Sequence, residues 1–139
     1  MSDIAKKIDE VIAKDEQPVT IIIYQPDEEP YRSEIDGSES TIDVLGVESK
    51  KVRAAQDKNL RRYVRLRGRG QQEAEIARQG RIERATAAVV GWHGWEVGGQ
   101  PAECTPENLA TIFRAQHILE QVEEAITEHA RFFTKSSPS

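Results

Sequence analysis

Three histidines, one cysteine and a few neighbouring carboxylates are the side chains of this 139-residue chain that could hold a metal or move a proton. His93, His117, His129 and Cys104 are scattered, with neither the CxxC nor the HExxH spacing that sets ligands side by side on one turn or helix face. Cys104 has no base placed beside it by sequence, so it reads as a small semi-buried thiol rather than a nucleophile. The carboxylate runs Asp27-Glu28-Glu29 and Glu123-Glu124 fall in a loop and on a solvated helix face, without the apolar surroundings that would make one of them a general acid. Gly68-Arg69-Gly70 lacks the lysine and hydroxyl of a phosphate loop, and Gly98-Gly99 precedes a proline instead of opening a helix. The expectation is a non-enzymatic protein with no cofactor and no metal.

Binding chemistry is better represented. Lys50, Lys51, Arg53, Lys58, Arg61, Arg62, Arg65, Arg67 and Arg69 form a basic stretch, in which Arg61, Arg65 and Arg69 recur every four residues and would share one helix stripe. Such a stripe, with Arg62 beside it, could follow a polyanion such as a phosphate backbone. Tyr63 is the one aromatic within the stretch, which offers little for base stacking, and no recognition-helix motif surrounds it. Pairing of this basic helix with the acidic N-terminal third is the competing reading, and nucleic acid is the weaker of the two.

Large apolar side chains concentrate in the block from Ala85 to Phe133, which holds Trp92, Trp95, Phe113, Phe132 and Phe133. Two tryptophans in Gly-Trp-His-Gly-Trp do not easily both point inward, so one is expected in the core and the other on a docking surface; Trp92 is assigned inward and Trp95 outward. Adjacent Phe132 and Phe133 on a helix point about 100° apart, which gives the same division between core and contact. Tryptophan is enriched at the energetic centres of interfaces. The candidate partner-binding residues are therefore Trp95, Phe132, Phe133 and Trp92.

The elements that must position these groups can be read from spacing and punctuation. Ile4, Ile8, Val11 and Ile12 make one apolar stripe of a helix over about 3–14. Val19–Tyr24 is a β-branched run, and a second extended segment lies near 41–47, so the two are expected to pair as an antiparallel hairpin with a long acidic connection. Ser49 caps a helix over 50–66, and a second helical run over 71–90 is expected to lead into the tryptophans. After the Gly-Gly-Gln-Pro reversal, Thr105-Pro106-Glu107 opens a long amphipathic helix with a break near 114–117. The expected fold is α+β: an N-terminal helix or arm over 1–17, then one domain over 18–133 with a small hairpin and three or four helices, then a tail over 134–139 with no reason to be ordered. Its expected core includes Trp92, Leu109, Phe113, Leu119, Val122 and Ile126.

Composition agrees with a modest core. The chain is 37% hydrophobic and 31% charged, and its one cysteine excludes an internal disulfide, which points to a reducing cytoplasm. No apolar run approaches the length of a bilayer span, so a soluble protein without a membrane partner is expected. The formal charge of −5 hides an asymmetry: 1–49 carries net −9, 50–84 net +8 and 85–139 net −4.

The run Val44-Leu45-Gly46-Val47-Glu48-Ser49-Lys50-Lys51-Val52-Arg53, followed by Val89-Val90-Gly91-Trp92, Thr105-Pro106-Glu107-Asn108 and the segment from Gln121-Val122 to Arg131-Phe132-Phe133, resembles tail assembly chaperones of tailed bacteriophages and prophages. The resemblance spans about 19–133 and rests on a diffuse pattern. It implies a protein of the host bacterial cytoplasm that binds the long helical tape-measure protein and helps tail-tube subunits assemble around it, sometimes in two lengths made by frameshifting. Two other readings stay open. A structural virion protein, such as a minor capsid, head-tail or tail component, would use the same α+β pattern in a stable assembly, and a nucleic-acid-binding accessory protein would use the basic stretch. A homo-oligomer is compatible with each.

Overall fold

The computed structural model describes residues 3–66 and 72–136. Among them the chain forms six helices, a three-stranded antiparallel sheet and a two-stranded ribbon, an α+β fold. Helix α1 (Asp3–Asp15) precedes strands β1 (Val19–Ile22) and β2 (Thr41–Val44), which pair antiparallel with Ile21 opposite Ile42. Alternation places Val19 and Ile21 inward with Ile42 and Val44, while Thr20 and Ile22 face out. The expected hairpin is therefore present.

It is extended by a third strand. The sequence reading ran a helix over 71–90, through Val89 and Val90 and into the tryptophans, but α3 (Gln72–Ala88) stops at Ala88 and the chain passes directly into β3 (Val89–His93) on the free side of β2. Backbone pairing with β2 satisfies groups that the edge would otherwise leave open, and the β-branched Val89-Val90 pair suits it. Ile42 lies opposite Trp92 and Val44 opposite Val89, with an irregularity between Asp43 and Val44 that leaves Val90 without an opposite residue. This β-bulge puts Val89 and Trp92, three residues apart, on the same face. A ribbon of β4 (Glu96–Val97) and β5 (Gln100–Pro101) follows, turned by Gly98-Gly99.

Helix α2 (Lys50–Leu66) begins at Ser49, whose hydroxyl accepts from the Val52 amide at 3.4 Å, and packs antiparallel on α3. Helix α4 (Pro106–Ile112) is capped by Thr105, which accepts from the Asn108 amide at 3.1 Å. The long C-terminal helix is three pieces: α4, α5 (Gln116–Thr127) and α6 (His129–Ser136). The first break falls where the sequence suggested, at 113–115; the second, at Glu128, raises the helix count beyond the three or four expected after the hairpin. Helix α6 also runs through Ser136, so 134–136 belong to a helix and not to the expected tail.

The core lies where α4 and α5 cover the sheet. Leu109, Phe113, Leu119, Val122 and Ile126 are buried together with Val19, Ile21, Ile23, Ile42 and Val44, as the sequence reading had the helical set. Trp92 is an exception: it packs against this core but is only partly buried.

Candidate functional site

Trp92 and Trp95 form one corner instead of dividing between core and surface. Both are partly buried, their ring centroids are 5.8 Å apart, and Trp95 also packs on Tyr31 at 5.6 Å. Gly94 makes this possible: its φ of 82° turns the chain after β3, and a Cβ there would lie 2.9 Å from the Ser40 Cα. Each indole donates inward, Trp92 Nε1 to the Ala102 carbonyl at 2.8 Å and Trp95 Nε1 to the Thr41 carbonyl at 3.1 Å. Tyr31 continues the stack to His117, with its hydroxyl 2.6 Å from His117 Nε2. Burial, helped by the Asp27 charge, holds the Tyr31 phenol above its ordinary range. The corner opens on a cavity of about 220 Å³ lined by Ile35, Asp36, His93 and Glu96 as well as the tryptophans. Ser38 donates its hydroxyl and its amide to Asp36 at 2.6 and 2.9 Å, which pulls that carboxyl below its usual range.

Phe132 sits elsewhere. With Ile21, Ile22, Tyr24, Gln121 and Glu124 it lines a shallow groove of about 250 Å³ between α5, α6 and β1. The Gln121 amide bridges the backbone of Tyr24, accepting from its N–H at 2.8 Å and donating to its carbonyl at 2.9 Å. Arg131 lies 4.9 Å from the Phe132 ring centroid and pairs with Glu124 and Glu128. The candidate docking aromatics are thus not brought to one place, and the side chain of Phe133 lies outside the described residues.

The basic stretch divides by helix geometry. Arg62 turns inward and pairs with Glu83 of α3 at 3.0 Å, while Arg61 and Arg65 are exposed; Arg69 lies outside the described residues. Other inward arginines find partners on helices too, Arg81 bidentate on Glu123 and Arg84 on the Gln56 side chain at 2.9 Å. Burial lowers the affinity of Arg84 for its proton. The expected pairing of this stretch with the acidic N-terminal third does not occur among the described ion pairs, because α2 packs on α3 and its cations either reach that helix or face away. Between α2, α3 and α5 runs a groove of about 470 Å³, walled by Leu60, Tyr63, Ile76 and Ala77, with the buried Asn59 Oδ1 left without a partner.

Sequence reasoning treated α1 as a helix with one apolar stripe, and the structure leaves three of its four residues uncovered, Ile12 being partly buried. Ile4, Ile8 and Val11 are 74%, 54% and 50% exposed. The helix is held at its C-terminal end: Asp15 is buried, its Oδ2 accepts from the Glu48 amide at 2.8 Å, and its Oδ1 is 3.4 Å from Nδ1 of the buried His129. His129 in turn donates from Nε2 to the Gln17 carbonyl at 2.8 Å. The signal for this surface was in the spacing of the isoleucines; what the sequence did not contain was the absence of a wall opposite them.

Of the groups that could do chemistry, Cys104 is partly buried, and burial with the nearby Asp43 carboxylate pushes its thiol up. No group of three or more His, Cys, Asp or Glu side chains is placed to hold a metal among the described residues, and no helix there is long and apolar enough to cross a membrane. Comparison with protein-family models, with curated proteins and with solved structures finds no match.

Proposed function

We propose that this chain is a non-enzymatic assembly chaperone or scaffold of phage tail morphogenesis, which reversibly shields apolar surface of a helical tail protein, the tape measure, and aids assembly of the tail tube. The observation that carries the reading is the uncovered stripe of α1. Ile4, Ile8 and Val11 repeat at the i, i+4, i+7 spacing by which one amphipathic helix lies along another, on a helix whose bonds to Glu48, and through Gln17 to His129, lie at its last turn and just after it. Leu60 and Val64 on α2, with Tyr63 beside the neighbouring groove, offer a second such surface. The diffuse resemblance to tail assembly chaperones supplies the identity of the client, in the host cytoplasm.

The test is co-expression with the neighbouring tape-measure and tail-tube proteins, followed by affinity capture and light scattering. A transient complex that keeps one of them in solution supports the reading. Incorporation into finished particles would make the chain a structural virion component, and failure to bind either protein would remove the proposal.

A further inference from the structure

Two exposed surfaces of opposite charge lie on separate elements of this fold. The β1–β2 connection carries Asp27, Glu28, Glu29, Glu34, Asp36 and Glu39, all exposed, against the single cation Arg32, a net charge of −5 over 27–39. The outward face of α2 carries Lys50, Lys51, Arg53, Lys58, Arg61 and Arg65, also exposed, against Asp57, a net of +5. They stand at opposite ends of β2: the connection joins its Thr41 end, and α2 begins just beyond its Val44 end and packs on α3 instead of on the sheet. Among the described residues no ion pair links the two. The topology keeps apart charges that are matched in number.

The acidic surface also has a receptor for a cation. The cavity beside the tryptophan corner is walled by Trp92, Trp95 and Ile35 and edged by Asp36 and Glu96, with no lysine or arginine among its lining residues. Both indole N–H groups are engaged on the backbone, so ring surface is what a guest would meet. An indole face close to a carboxylate attracts a guanidinium through its quadrupole as well as through charge. His93, the other titratable group there, lies 2.9 Å from the Ser38 hydroxyl through Nε2.

We propose that a second copy of this chain docks on this surface, with the basic face of α2 lying along the acidic 27–39 connection and an arginine of the Arg61–Arg65 pair entering the tryptophan-walled cavity. Each copy then offers one surface of each kind, so the contact is either made twice across a two-fold dimer or repeats from copy to copy in a ring or an open chain. Helix α2 extends about 25 Å, and its exposed cations are spread along it from Lys50 to Arg65. This contact does not depend on the client proposed above.

The test uses the full chain in sedimentation velocity over a range of concentrations, in about 0.05 M and about 0.5 M salt, since exposed charges are screened over this interval. Two variants accompany it: Arg61→Glu with Arg65→Glu on α2, and Glu34→Lys with Glu39→Lys on the connection, each checked for native helix content by circular dichroism. The expected result is concentration-dependent association of the wild type in low salt that disperses in high salt, loss of association in either variant alone, and its return when the two are mixed. A wild type that stays monomeric in low salt overturns the proposal, as does association that the α2 variant leaves unchanged. A monomer that instead binds a DNA duplex with steep salt dependence would assign the α2 face to a polyanion.

Discussion

Gly46 lies where any side chain would strike the anchor of α1. A Cβ built on it falls within 2.6 Å of the Asp15 carboxylate atoms, too close for both to stay in place, and its φ is outside the left-handed region, so alanine there suffers no backbone strain. The consequence of Gly46→Ala is therefore displacement of the carboxylate from the Glu48 amide and from His129. Losing one hydrogen bond to a charged group costs about 1.5–3 kcal/mol, and the smaller conformational freedom of alanine in the unfolded chain returns about 0.4–1 kcal/mol. The net expectation is a loss of about 1.5 kcal/mol. Asp15→Ala removes the same partner outright and leaves a part-buried amide and a buried imidazole facing an apolar methyl, a loss of about 3 kcal/mol.

The double variant is where the geometry becomes decisive. With the carboxylate gone, the three atoms nearest the Gly46→Ala methyl are removed, and the unfolded-state effect is left to dominate. The second substitution should then be neutral or stabilising by about 0.5 kcal/mol, a reversal of sign and a coupling of about 2 kcal/mol between the two sites. Urea unfolding followed by the fluorescence of Trp92 and Trp95, with the slope held common, measures all four corners of the cycle. Additivity to within about 0.5 kcal/mol would refute the contact on which the argument stands.

Other consequences are simpler. Thr105→Ala removes the hydroxyl that accepts from Asn108 and should cost about 1 kcal/mol in the same unfolding assay; no change would mean that the cap contributes nothing to α4. Ile8→Ser on the uncovered α1 stripe should leave stability within about 0.5 kcal/mol while weakening client capture, whereas a large loss of stability would show that the stripe is covered. Trp95→Ala loses packing on Trp92 and Tyr31 and the bond to the Thr41 carbonyl, so it should destabilise by about 3 kcal/mol, contrary to the fold-neutral outcome its reading as an outward residue implied. Because burial and Asp43 raise the Cys104 thiol, its thiolate forms at higher pH than that of a free cysteine; alkylation at about pH 8 should be slower than for a model thiol and should quicken as pH rises.

Much of the local structure was legible because local signals caused it. Ser49 and Thr105 announce their helices by the chemistry of the exposed first-turn amides, and both act as caps. The β-branched runs at Val19 and Thr41 pair as strands because they fit a half-buried pleat. The tryptophan segment was misread for a definite reason. Val89 and Trp92 share a face at a spacing of three, which is helical spacing in a regular element, but here it is produced by one unpaired residue, Val90, in a bulged strand. Periodicity cannot separate those two cases; only the partner strand can. Gly94 then returns the chain so that Trp95 joins Trp92, a geometry that depends on the close approach of Ser40 from a distant part of the sequence. The exposure of the candidate docking residues likewise depends on what the rest of the fold fails to cover.

The charge asymmetry shows how the sequence distributes one kind of residue over two tasks. Arginines that α2 and α3 turn inward, Arg62 and Arg81, are held by Glu83 and Glu123, and they fix how the helices lie against each other. The outward cations of α2 have no such partners among the described ion pairs and add little to stability, as exposed pairs do even when formed. Their effect is on encounter: a basic face on α2 and an acidic one on the 27–39 connection select the orientation of whatever approaches and make its rate of association depend on salt. An exposed apolar stripe such as that of α1 carries no such direction. A protein with both surfaces can hold a partner loosely through the one and orient it through the other, and the two contributions separate in experiment because only the second is screened by salt.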